Sequence, residues 1–115
     1  MRVFSSEPEG NELAEAIGAD YIKFSISTMD EFNEWLKKSE NPAQPTLAII
    51  DMLIITAEKY TVSANLLIKK DKVEEWKTTF YAWYERCNSK IPVKYREGIK
   101  QNADELFAEL EQYGH

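Results

Sequence analysis

Hydrophobic and polar residues alternate in two segments of the chain, which is the pattern of half-buried β-strands. Residues 21–26 are rich in β-branched and aromatic side chains, and alternation would place Ile22, Phe24 and Ile26 on one face. From residue 60 to residue 69 every even-numbered position is apolar. Both segments are therefore predicted to be strands that cover a core with one face.

Two further apolar segments complete the predicted sheet. Residues 47–55, interrupted by Asp51, are too apolar to alternate, so we expect a strand that is buried on both faces. Residues 2–5 are predicted to form a short first strand. The connection at 57–59 contains no glycine or Asn-Gly turn signal, so helices over 47–69 stay an alternative to a hairpin there.

Four segments repeat apolar residues at the spacing of an amphipathic helix. Asn11 is placed to cap a short first helix that Gly18 would end, and Thr28 with Glu31 forms a capping box for the second. Asp71 is placed to cap the third helix, and the last one begins near Pro92. At about 100° per residue, the third helix gathers on one side Val73, Trp76, Phe80, Trp83, Tyr84 and Cys87.

The order β-α-β-α-β-β-α-α predicts a single α/β domain over residues 1–115, with an α+β fold as the alternative. This order, and the Pro-Thr-Leu stretch that begins at Pro45, resemble the thioredoxin fold, in which Pro45 would be the cis-proline. The resemblance covers residues 1–88 and leaves a helix over 92–113 as an addition. The family's Cys-X-X-Cys is replaced by Ser-Ser-Glu-Pro-Glu at 5–9, so its redox activity is not expected.

Two other patterns provide alternatives. Residues 47–52 resemble the third strand of a receiver domain, with Asp51 as the phosphate acceptor, and residues 64–70 resemble its last strand and lysine. Residues 57–72 have the rhythm of a helix-turn-helix and include Lys69, Lys70 and Lys72. A degenerate receiver-like sensor and a DNA-binding regulator therefore remain as alternative functions.

Charge and composition narrow the function classes. The chain carries 20 acidic and 14 basic residues, a net charge of −6, and its first 34 residues alone balance to −6. Phosphate groups repel such a surface, so nucleic acid and anionic membranes are unfavourable partners. The single cysteine, Cys87, permits no internal disulfide and indicates the cytoplasm; its place on an apolar helix side predicts a buried thiol. No catalytic set, metal site or cofactor motif is evident, and no apolar segment approaches the ~20 residues of a membrane helix.

We therefore expect a non-catalytic module that binds a basic partner protein, as inhibitors and immunity-type proteins do. Asp51 is the one carboxylate whose apolar neighbours could perturb it. Tyr81 sits at the predicted solvent edge of its helix, where an aromatic side chain suits a protein contact. Oligomeric state is left open. The predicted partner-binding residues are Glu7, Glu9, Glu12, Glu15, Glu34 and Tyr81.

Overall fold

A computed structural model describes residues 2–114, and this part of the chain is built from helices joined by loops, with no β-sheet. The only strand-like feature between residues 2 and 114 is an isolated bridge between Val3 and Asn11. The α/β prediction and the thioredoxin-like resemblance are therefore wrong, and the fold is all-α. The helices are α1 (Glu12–Leu36), α2 (Thr46–Lys59), α3 (Thr61–Leu67), α4 (Lys70–Cys87) and α5 (Val93–Leu110), with a 3-10 turn at Asn88–Lys90.

Residues 21–26, predicted as a strand, lie in the middle of α1. Ile22 and Ile26 are four positions apart, so a helix turns both toward the core, where Ile22 is fully buried and Ile26 is half-buried. Phe24 then lies on another side and is 71% exposed. Residues that alternate along a strand include pairs that are four positions apart, and such pairs share one side of a helix. The pattern in residues 21–26 therefore fits both elements.

The same ambiguity explains residues 60–69. Tyr60, Ala64 and Ile68 are four residues apart, and they pack against the core from α3 and its flanks. Val62 and Leu66, which alternation would have buried with them, are 71% and 66% exposed. Helices over 47–69 are thus the alternative that the structure confirms.

Residues 47–55 form α2 instead of a doubly buried strand. Ile49, Ile50, Leu53 and Ile54 are buried, at positions that repeat one helical turn apart. Asp51 is exposed to solvent, although Leu47 and Ala48, about one helical turn before it, lie beside it on α2. The strand that would have made it a receiver-type aspartate is absent, and no cis peptide bond occurs in residues 2–114, at Pro45 or elsewhere.

α1 continues through the predicted break at Gly18, which does not adopt the left-handed conformation of a helix end and instead leaves room for an aromatic ring. A Cβ atom at Gly18 would lie 2.4 Å from ring atoms of Tyr60. Thr28 does not cap a second helix; its hydroxyl donates to the Phe24 carbonyl at 2.9 Å, inside α1. The cap at Asn11 is confirmed, since its side chain accepts from the Ala14 N–H at 2.9 Å.

α4 matches its sequence pattern most closely. It begins at Lys70, with Lys69 and not Asp71 as the capping residue. All six residues of its predicted apolar side are buried, including Cys87. After Pro92, α5 runs unbroken to Leu110, and it adds to the same core Ala103, Phe107 and Leu110.

α4 also fixes the end of α1 and the loop after it. Arg86 donates to the carbonyls of Leu36 and Ser39 at 2.8 and 3.1 Å, which satisfies acceptors that a helix end leaves open. The Trp83 indole donates to the Asn41 carbonyl at 2.9 Å. These bonds hold α1 in one orientation, so the side of α1 that faces away from the core is a defined surface.

Candidate protein-binding face on the first helix

α1 has three different sides around its axis. One side is buried against α2, α3 and α4 and carries Ile22, Met29 and Leu36. The two other sides face solvent, and they differ in chemistry: one is apolar and the other is acidic. Because α1 runs for 25 residues, about 37 Å at 1.5 Å per residue, each side is long enough to contact another protein.

The apolar stripe, as we name it, consists of Leu13, Ile17, Tyr21 and Phe24. Their spacing of four, four and three residues places them within about 80° of one another on the helix. Each is more than half exposed, from 53% at Ile17 to 71% at Phe24. Trp35 continues the same line near the end of α1 and is 43% exposed. Single exposed apolar residues are common, but a contiguous row of them is typical of interaction surfaces.

The acidic arc adjoins one edge of this stripe. It spans about 100° of the helix at 100° per residue and contains a single base, Lys23. Acidic residues thus outnumber basic ones five to one on this side of α1. The members of the acidic arc are Glu12, Asp20, Asp30, Glu31 and Glu34.

Three members of the acidic arc have cationic partners within the molecule. Glu34 lies 2.8 Å from Lys37, Asp30 lies 3.3 Å from Lys72, and Glu12 lies 3.9 Å from Arg2. Asp30 also accepts from the Trp76 indole N–H at 2.9 Å, which ties it to the core helix α4.

Asp20 and Glu31 are the two carboxylates nearest the apolar stripe in helical angle. Both are exposed, and neither forms a salt bridge with any residue between 2 and 114. Their charge is therefore not neutralised within the described chain. A cation brought beside the stripe would meet them first.

A groove lies along the other edge of the apolar stripe, between α1 and α2. Tyr21, Phe24 and Thr28 form its α1 wall, and Met52 with Thr56 forms its α2 wall. Its volume is about 330 Å³, and Met52 is 60% exposed at its rim. We call it the α1–α2 groove. Two residues, Tyr21 and Phe24, belong to both the groove and the stripe, so the two form one continuous apolar surface.

The structure brings some of the predicted binding residues to this surface. Glu12 and Glu34 lie in the acidic arc, whereas Glu15 is half-buried on the core side of α1. Glu7 and Glu9 lie in the loop before α1, which is folded against the helix start by backbone hydrogen bonds. Asp20, Glu31 and the apolar stripe were missed. Their signal was the i, i+4, i+8, i+11 spacing from Leu13 to Phe24, which predicted strands and a helix break concealed.

Tyr81 lies on a different side of the molecule. It is half-buried, its hydroxyl donates to Asp104 of α5, and its ring packs 6.0 Å from that of Phe107. Burial and the adjacent Asp104 carboxylate raise the pKa of Tyr81 above its usual value. On α4 it is turned toward α5, while Trp76 is turned toward α1. It therefore does not share a surface with the acidic arc.

Asp51 faces a different groove, between α2 and α5. This groove has a volume of about 410 Å³, and Glu105 and Glu109 lie on its α5 wall. Between residues 2 and 114, no group of three or more His, Cys, Asp or Glu side chains is arranged to hold a metal ion. Residues 57–72 comprise the end of α2, α3 and the start of α4; α3 has no charged residue and exposes Val62 and Leu66.

No protein-family model, curated protein or solved structure matches this chain. None of the helices in the described part combines the length and apolar character needed to cross a membrane.

Proposed function

We propose that this protein is a non-catalytic module that binds and neutralises a positively charged protein through the acidic arc of α1. The observation that supports the proposal is the segregation of charge: five acids share one side of α1 with a single base, and Asp20 and Glu31 have no cationic partner in residues 2–114. The cytoplasmic location that the single Cys87 indicates belongs to the same proposal.

Charge of this kind acts mainly on the rate of encounter. A one-signed surface raises the local concentration of an oppositely charged partner and orients it before contact. Each unpaired carboxylate therefore contributes more to association than to residence time. The Debye length falls from about 10 Å at 0.1 M salt to about 3 Å at 1 M, so the effect should weaken as salt rises.

The test begins with capture of a basic protein from the native host at low salt, followed by association kinetics with that protein. Reversal of Asp20 and Glu31 together, Asp20→Lys with Glu31→Lys, should slow association about tenfold and flatten its salt dependence. The matched control reverses two exposed acids of α5, Glu97→Lys with Glu105→Lys, which changes net charge equally.

The control should retain the native association rate within about twofold. Equal slowing in both variants would mean that only net charge matters, and the acidic arc would have no specific role. If capture yields only nucleic acid, the proposal is also wrong.

A further inference from the structure

The apolar stripe and the α1–α2 groove have an apolar character that the acidic arc does not explain. A purely electrostatic surface has no use for Phe24 at 71% exposure beside Met52 at 60%. Hydrophobic area left in water costs free energy, which burial against a partner recovers. A partner would therefore gain affinity from the apolar stripe, and the acidic arc beside the stripe would orient that partner.

The shape of this surface favours a helix as the partner's contacting element. An extended segment that binds by adding a strand needs an open sheet edge, and residues 2–114 contain no sheet. A helix satisfies its own backbone hydrogen bonds and can lay an apolar side into a groove. From Leu13 to Phe24 the stripe rises about 16 Å, which matches about three turns of such a helix.

The charges around the surface select among occupants. A second copy placed symmetrically on the stripe would bring the Asp20 and Glu31 carboxylates of both chains into one interface, where like charges repel. An anionic membrane would be repelled for the same reason. A helix with Lys or Arg along one flank of its apolar side would instead place those cations on the acidic arc.

We infer that the apolar stripe and the α1–α2 groove bind an amphipathic helix of the partner protein, with its basic flank against Asp20 and Glu31. This inference rests on the proposed function, because it names the structural element by which the basic partner is held. Phe24 and Met52 are the main apolar contacts, since each is more than half exposed at the groove.

The probe is a synthetic peptide of leucine and lysine, about 18 residues and roughly 27 Å as a helix, with leucines at i, i+3, i+4 and i+7 spacing. A second peptide has the same composition with the leucines dispersed around the helix. Each is titrated into the full-length ¹⁵N-labelled protein, and affinity and amide shift changes are measured. The amphipathic peptide should bind at least about tenfold more tightly, with shift changes centred on Tyr21, Phe24 and Met52.

Three single variants locate the site. Phe24→Ser and Met52→Ser should each weaken binding of the amphipathic peptide about tenfold. Val93→Ser removes a comparably exposed apolar side chain from α5, 74% exposed, and should leave the affinity unchanged. All three positions are exposed, so circular dichroism should show native helix content in each.

The outcomes separate this inference from the proposed function. If the Asp20/Glu31 reversal abolishes peptide binding while Phe24→Ser and Val93→Ser bind alike, the acidic arc stands and the helix-docking inference is wrong. If the reversal leaves the affinity unchanged, the proposed function is wrong. Equal affinity for the two peptides also overturns the inference. The inference is also wrong if the protein alone forms a dimer that Phe24→Ser dissociates. It is equally wrong if the protein binds phosphatidylglycerol vesicles and this binding depends on Phe24.

Discussion

α4 and α1 both pack against the core of the molecule, yet they use their apolar residues differently. α4 collects its large apolar side chains on one side, and no large hydrophobic residue of α4 is among the exposed ones. α1 buries Ile22, Met29 and Leu36 on one side and leaves the apolar stripe exposed on another. The comparison shows that α1 carries more apolar surface than this fold buries, and that excess marks the candidate interface.

The same difference between one and two apolar sides explains why the sequence predicts α4 as a helix and part of α1 as a strand. One apolar side gives a clear helical period, as in α4. In α1 the exposed residues Tyr21 and Phe24 lie between buried ones, so residues 21–26 fit a strand pattern as well as a helical one. The apolar residues that conceal α1 as a helix are thus the same residues that make it a candidate binding surface.

The largest expected effect is on the buried side of α4. Trp76 is 1% exposed and donates to Asp30 at 2.9 Å, so Trp76→Ala should lower the free energy of unfolding by about 3–5 kcal/mol in urea denaturation. Phe24→Ala on the apolar stripe is the matched comparison and should change it by less than about 0.5 kcal/mol. A loss below about 1 kcal/mol at Trp76, or a loss of similar size at both positions, would contradict the assignment of Trp76 to the core and of Phe24 to the surface.

A smaller effect separates two glycines in helix interiors. Gly18→Ala should destabilise by about 1–3 kcal/mol, because the new Cβ would stand 2.4 Å from the Tyr60 ring. Outside its own stretch of helix backbone, Gly98 has no atom within 4 Å of the same position, so Gly98→Ala in α5 should stabilise by about 0.5–1 kcal/mol. Thermal and chemical denaturation should show a loss of stability for Gly18→Ala and a gain for Gly98→Ala. A stabilising Gly18→Ala would mean that Tyr60 does not pack on α1.

The smallest expected effect is at Tyr81, away from α1. Burial and Asp104, with a contribution from Glu111, raise the pKa of this phenol in the folded state. The unfolded chain then loses the proton first, at about pH 10, so stability should fall as pH rises above about 10. Tyr81→Phe should reduce that alkaline loss while leaving the association rate of the partner unchanged. An unaltered alkaline slope in denaturation series would contradict the assigned environment.

Prediction from the sequence was most accurate for elements whose apolar residues all face the core. The cap at Asn11, the buried side of α4 and the buried thiol of Cys87 followed from spacing and residue type alone. Glu12 and Glu34 lie on the acidic side of α1, and the partner-binding role expected of them stays a prediction. These features depend on local sequence, which a single chain displays directly.

The remaining features depend on packing between distant elements. Gly18 suggests a helix end until the Tyr60 ring, 42 positions later, is placed against it. Tyr60, Ala64 and Ile68 satisfy both a strand and a helix pattern, and only the core decides between them. The apolar residues around Asp51 in the sequence suggested a buried carboxylate, but the helix places Asp51 on the solvent side of α2. The apolar stripe emerged only after α1 proved continuous.

Cysteine labelling along α1 tests most directly that one side of this helix is buried and the opposite side is exposed. Ile22→Cys and Phe24→Cys are compared under native conditions, with buried Cys87 as the internal unreactive thiol. Phe24→Cys should react as an exposed thiol, and Ile22→Cys should react at least about a hundredfold more slowly, because its reaction requires opening of the structure. Equal rates would place both residues on one strand face, and a protected thiol at position 24 would mean that the apolar stripe is already covered.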